Sequence, residues 1–81
     1  MEMVSQLRSQ IESILLVVDT PVAAADIAGA LAASEADIEE VLAQWSEELT
    51  SRGSGIELRR TEAGWRLYTR AENADAVESF V

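Results

Sequence analysis

A mainly helical domain closed by a two-stranded β-hairpin is the fold class the sequence predicts, and three features predict it. Apolar residues recur at spacings of three and four through two long stretches, 3–18 and 35–49. A shorter apolar stretch, Ala24 to Leu31, precedes the second of these and is separated from it by a turn with a capping serine. After Gly55 the apolar period shortens to two, in two runs on either side of Glu62-Ala63-Gly64. Three helices followed by such a hairpin make a winged helix-turn-helix.

The first helix is expected over Met3 to Val18. Val4, Leu7, Ile11, Ile14, Leu15 and Val18 fall on one stripe, the pattern of a core-facing helix. Leu16 does not fit that stripe. At about 100° per residue it points roughly 150° away from the stripe's centre, and Val17 lies on the flank. Five consecutive apolar residues, Ile14 to Val18, therefore wrap past one helix face. Two readings stay open. The terminal segment of this chain covers Leu16, through Val77 or Phe80, or a partner covers it. Apolar surface beyond what the core needs is a candidate interface. Leu16 and Val17, with Val22 nearby, are accordingly the candidate contact of a homodimer.

Asp19-Thr20-Pro21 ends this helix, because Pro21 disfavours helical geometry at Thr20. Val22 anchors the chain before the second helix, Ala24 to Leu31. Ala23 stands where a capping side chain is expected, and alanine cannot cap. Gly29 lies inside that helix at a cost of about 1 kcal/mol relative to alanine. Ser34 then takes the N-cap position of the third helix. Asp37 follows three residues later, in the manner of a capping box with a weaker third-position partner than Glu. Ile38, Val41, Leu42, Trp45 and Leu49 form that helix's apolar face.

Ser51-Arg52-Gly53-Ser54-Gly55 breaks the helix, with Gly53 in the left-handed position at its end. In the hairpin that follows, Ile56, Leu58, Trp65 and Leu67 face the helices. Arg59, Arg66, Tyr68 and Arg70 lie on the other face as a basic, aromatic patch. Gly64 suits the left-handed position of a three-residue loop. A short fourth helix is expected over Ala74 to Val81, with Val77 and either Phe80 or Val81 turned inward. The predicted core is Leu7, Ile11, Ile14, Leu15, Ile27, Leu31, Ile38, Val41, Leu42, Trp45, Leu49, Ile56, Leu58 and Leu67, with Trp45 and Trp65 both substantially buried.

Eighty-one residues are one domain. A chain this short buries only roughly 60–65% of its unfolded surface, so its stability is marginal unless something pairs with it. Neither cysteine nor histidine is present. The N-terminus lacks the pattern of a signal peptide, and no apolar run is long enough to span a membrane. The expectation is a soluble, cytoplasmic protein. The net charge is −9, from 15 acids and 6 arginines. Four of those arginines fall between Arg59 and Arg70, beside the single acid Glu62, so an acidic helical body carries one short basic segment.

Three segments resemble the N-terminal domain of the bacterial segregation and condensation protein B (ScpB) family. They are Gln10 to Val22 (QIESILLVVDTPV), Gly55 to Arg59 (GIELR) and Gly64 to Arg70 (GWRLYTR), in the family's order around the same helix-turn-helix. The resemblance implies a winged-helix domain that pairs with itself. It further implies a regulatory subunit of the condensin-like SMC complex in chromosome condensation and segregation, whose partner is the kleisin ScpA and, through it, SMC. Such a protein associates with the nucleoid through that complex. Two departures stand out. The family carries a capping serine or threonine where this chain has Ala23. It also carries a second winged-helix domain, on which the main kleisin-binding surface is expected, and this sequence holds only one. The chain is therefore expected to be one domain of a longer protein.

The main alternative is a DNA-binding transcriptional regulator that grips DNA through the Arg-rich wing. The third helix argues against it. Residues 35–40 read Glu-Ala-Asp-Ile-Glu-Glu, four acids and no base, where base and phosphate contacts are normally made. DNA affinity comes largely from Lys and Arg neutralising phosphates, so no strong nucleic-acid binding is expected. The wing arginines have three open readings: salt bridges to acids of this chain or its twin, a solvated face, or direct DNA contact. An enzyme is disfavoured. Without His, Cys or Lys, catalysis would need a carboxylate pair, and none stands at a recognisable catalytic or metal-loop spacing. No cofactor and no metal are expected.

Overall fold

A computed structural model describes residues 3–81, with side chains described from residue 6 onward. Val4, assigned above to the first helix's stripe, has its side chain outside that range. The elements run α1 (Met3–Val17), α2 (Ala24–Leu31), α3 (Glu35–Ser51), β1 (Ile56–Thr61), β2 (Gly64–Thr69), a 3-10 turn (Ala71–Asn73) and α4 (Ala74–Phe80). This is the winged helix-turn-helix the periodicity predicts.

Ser34 starts α3 by accepting a hydrogen bond from the Asp37 amide at 3.1 Å. Among the described residues, the Asp37 carboxylate does not return the bond, because the shorter Asp side chain reaches back less well than Glu. At its far end α3 closes on Gly53, at φ 68. The Ser54 amide donates to the Leu49 carbonyl and the Gly53 amide to that of Thr50. Two of the helix's last orphan carbonyls are thereby satisfied. The turn between α2 and α3 uses the same device with a different residue. Ala33 donates to the Ala28 carbonyl while Ala32 sits at φ 53, the one non-glycine at positive φ among the described residues. An alanine there gives no sequence signal, since its Cβ makes the left-handed region costly.

Strands β1 and β2 pair antiparallel, Leu58 opposite Leu67 and Arg59 opposite Arg66. Thr61 pairs with Gly64, so the loop is the two residues Glu62 and Ala63 rather than the expected three. Gly64 does adopt positive φ, 128, and it is needed for a second reason as well. Val22 and Trp65 exchange backbone hydrogen bonds of 2.9 and 2.8 Å, which adds a one-residue third strand to the hairpin. A Cβ on Gly64 would overlap the backbone of Val22 and Ala23. The wing is thus tied to the α1–α2 connection as well as to α3, where Ser46 Oγ donates to the Leu58 carbonyl at 2.8 Å.

The core gathers Ile11 and Leu15 of α1, Ala24, Ile27 and Ala28 of α2, Ile38, Val41, Leu42, Trp45 and Leu49 of α3, and Leu58 and Trp65 of the wing. Leu7, Ile14, Leu31 and Leu67 pack at its margin, as does Val22. One predicted core residue is misplaced. Ile56 is 48% exposed, because it lies at the open end of the hairpin opposite Thr69, beyond the end of α3. The terminal helix is a larger correction. Val77, Phe80 and Val81 face solvent, with Phe80 91% exposed. The main contacts of α4 are with the 3-10 turn before it, so the segment does not fold back over the body.

Candidate functional site

Leu16 and Val17 stand 77% and 80% exposed at the C-terminal end of α1. Their neighbours Leu15 and Ile14 supply the inward packing. The reading in which the terminal segment covers Leu16 is therefore excluded for a single chain. Val22, grouped with them from sequence, is half-buried against the core, and its backbone is committed to Trp65. It sits at the margin of this surface and not within it.

Beside Leu16 runs a groove of about 500 Å³ between α1, the C-terminal half of α3 and the base of the hairpin. Ile56 and Leu16 wall it, and Trp45, Leu49 and Leu67 line it from below. Across its other end lies the best-connected charge in the described molecule. The Arg8 guanidinium donates to both carboxylate oxygens of Glu48, at 3.0 and 2.8 Å, and its Nε donates to Glu12 at 2.9 Å. It also lies 5.8 Å from the centre of the Trp45 ring. The Arg8 hydrogen bond holds the Glu48 carboxyl below its usual range, and the same pair raises Arg8. These contacts pin α1 to α3 and leave the adjoining apolar wall open.

The wing patch is partly as expected. Arg59 stacks on the Tyr68 ring with its guanidinium carbon 4.0 Å from the centroid, and Arg66 approaches the same ring at 5.4 Å. Arg70 is not part of that exposed surface. Its side chain is 15% exposed and turns back to α3, donating from Nε to the Ser54 carbonyl at 3.0 Å and from Nη2 to Thr50 Oγ1 at 3.1 Å. The alternation that placed it with Arg66 and Tyr68 stops at Thr69, where β2 ends. Ion pairs from the wing to acids of the same chain are long. Arg59 to Glu57, Arg60 to Glu39 and Arg70 to Glu57 are each 3.8 Å. Tyr68 thus has both guanidinium groups of the cross-strand pair Arg59–Arg66 against its ring.

The first turns of α3, which a DNA-reading helix would present, carry Glu35 and Glu39 on one flank and Asp37 and Glu40 on the other, and only Glu39 pairs with a basic side chain among the described residues. Among the described residues no group of three or more acids is placed to hold a metal ion, and no helix is long and apolar enough to cross a membrane. What the geometry offers is contact surface: an uncovered apolar shoulder at Leu16 and Val17, the groove beside it, and a small stacked-arginine wing.

The chain matches the family model described as segregation and condensation complex subunit ScpB over residues 9–81. Among solved structures it is similar to ScpB from Mycobacterium tuberculosis, at 41% identity and a TM-score of 0.95, covering 99% of this chain and 50% of that one. The chain thus spans about half the length of that relative. It is also similar to the ScpB N-terminal domain crystallised as a dimer complexed with an ScpA peptide. There the identity is 21% and the TM-score 0.88, covering 99% of this chain and 100% of that one. A conserved hypothetical protein from Chlorobium tepidum follows at 19% identity and TM-score 0.79, covering 96% and 49%. The latter two likenesses speak for the fold alone. The comparison with curated proteins returned no match.

Proposed function

The chain belongs to the ScpB family of segregation and condensation complex subunits, and from that premise we propose that it is the family's N-terminal winged-helix domain, acting as a non-enzymatic pairing and interaction module. Its partners are a second copy of itself and the kleisin ScpA, and through ScpA the SMC complex that condenses and segregates chromosomes. It works in the cytoplasm, at the nucleoid, through that complex. The observation that carries the reading is the 41% identity to a ScpB chain over 99% of this one. Physical chemistry supports it independently. An uncovered Leu16–Val17 shoulder on a domain of 81 residues favours association, which stabilises the folded state by mass action.

The pairing is tested by sedimentation equilibrium over a concentration series with the parent chain and Leu16→Glu. Leu16 is not a core residue, so the variant keeps its helical signal and loses only the stability that association supplies. The parent sediments as a dimer and the variant as a monomer. A parent that stays monomeric throughout the series overturns the homodimer. Titration of an ScpA peptide into the parent, followed calorimetrically, tests the second partner, and absence of heat or binding at near-millimolar peptide removes it. Duplex DNA binds no more tightly than the non-specific range of about 10⁻⁴–10⁻⁶ M at physiological salt, because α3 presents acids where phosphates would lie.

A further inference from the structure

Two features of this molecule are each unfinished. The first is α4, with Val77, Phe80 and Val81 exposed along one side. A seven-residue helix is marginal in water by itself, and α4 has its main contacts with the three-residue turn that precedes it. The second is the groove beside Leu16, an apolar floor with exposed walls at Leu16 and Ile56.

The two fit each other in length and in apolar chemistry; the groove's lining balances Arg8 and Arg52 against Glu12 and Glu48, and Arg52 is its one cation outside an ion pair among the described residues. Seven helical residues span about 10 Å, and the α1 wall of the groove, Arg8 to Leu16, spans about 12 Å at the same rise. The helix and the residue that ends it bring an aromatic and two valines to a groove in which Leu16 and Ile56 are the exposed apolar walls among polar side chains. Glu72, Asp75 and Glu78 give the terminal segment three negative charges and no positive one. Arg52 stands exposed on the groove's rim. The root of α4 lies at the groove's end: Asn73 stands against Gly55, the residue before Ile56. Within one chain α4 does not fill the groove, since Phe80 and Leu16 are both largely exposed and no α4 residue lines it.

We propose that α4 of each copy docks in the Leu16–Ile56 groove of a second copy, so that the pair exchanges terminal helices. The exchange is reciprocal. Each chain supplies one helix and one groove, and a two-fold axis satisfies both at once. The inference rests on the homodimer reading above and adds the element that closes it.

The test uses variants of this chain at positions outside the core. Phe80→Glu weakens self-association about tenfold or more while leaving the helical signal intact, as expected for a buried aromatic anchor at an interface. Charge reversal sharpens it: Arg52→Glu weakens the dimer, and adding Glu78→Arg restores it. The chain has no cysteine, so a mixture of Leu16→Cys and Phe80→Cys chains, oxidised, yields a cross-linked heterodimer that neither variant yields alone in that proportion. A parent dimer undisturbed by Phe80→Glu and by Arg52→Glu would overturn the exchange and leave the homodimer standing. A chain carrying both cysteines that closes on itself at monomer mass would place α4 in its own groove and overturn it as well. A parent that never dimerises removes the homodimer and the exchange together.

Discussion

Helices α3 and α4 carry the same kind of pattern and meet opposite fates. In α3, Ile38, Val41, Leu42, Trp45 and Leu49 recur at three and four, and all five are buried. In α4, Val77 and Phe80 recur at three, and both are exposed. Periodicity reports that a helix has an apolar side. It does not report what covers that side. For α3 the cover is the rest of the domain: α2 and α1 on one flank, β1 on the other. For α4 nothing among the described residues has that role, and the apolar side becomes surface.

The largest effect expected from this contrast is in the core. Leu42→Ala removes a fully buried side chain and lowers stability by about 2–5 kcal/mol. Val77→Ala, at a dilution where the chain is monomeric, changes it by no more than about 0.5 kcal/mol. Urea titrations of the two variants measure both. Equal losses would mean that α4 is integrated into the domain, and the contrast would fail.

The helix starts differ as well. Ser34 caps α3 with its hydroxyl, whereas the Asn73 side chain makes no capping bond to α4. Ser34→Ala therefore costs about 1 kcal/mol, and Asn73→Ala leaves the denaturation midpoint in place. The Ser34 cap was readable from residue types, because serine followed by an acid three residues on has one local use. So was Gly53, whose positive φ closes α3. Other features had no such signature. The Val22–Trp65 bridge joins residues 43 positions apart through backbone atoms alone, and backbone pairing of a single residue leaves no periodicity. Alternation places Arg70 on the wrong face because β2 ends one residue before it. Alternation gives the face of Ile56 but not its exposure, which follows from its place at the open end of the hairpin. Leu16 was legible as a misfit on its helix from angular position alone. That nothing among the described residues covers it is visible only in the fold.

The joint before α3 offers a gain in place of a loss. Ala32 holds a left-handed conformation at φ 53, which costs a non-glycine residue roughly 1–2 kcal/mol. Ala32→Gly removes that strain and returns part of it as unfolded-chain entropy of about 0.4–1 kcal/mol. The net is a stabilisation of about 0.5–1 kcal/mol, visible as a higher urea midpoint with an unchanged slope. Asn73, the corresponding joint before α4, already has φ −101, so Asn73→Gly brings no such gain. A drop on Ala32→Gly would mean the turn is not strained as described.

The smallest effect is electrostatic, and it separates the two helices again. Helix α3 is tied to α1 by the two-pronged contact of Arg8 with Glu48. No acid of α4 joins an ion pair among the described residues. The Glu48 carboxyl is held below its usual range first by the hydrogen bond from Arg8, against a smaller opposing effect of burial, with the charges of Arg8 and Arg52 adding to the lowering. A group whose folded pKa lies below its unfolded value binds its proton less readily when folded. Its stabilising contribution is complete above the unfolded value, about 4.3 for glutamate, and is lost as pH falls through the folded one. Half of the Glu48 side chain is exposed to solvent, so water and salt screen the pair and the contribution is small. Glu48→Gln removes the charge and keeps the size. At pH 7 and low salt the variant has a lower urea midpoint than the parent. As the pH is brought below about 4 the two midpoints converge, because the parent's carboxyl becomes neutral as well. Raising the salt at pH 7 narrows the gap in the same direction. A gap that persists unchanged into acid would mean that Glu48 acts through packing and not through its charge, and the tie between α1 and α3 would then rest on their apolar faces alone.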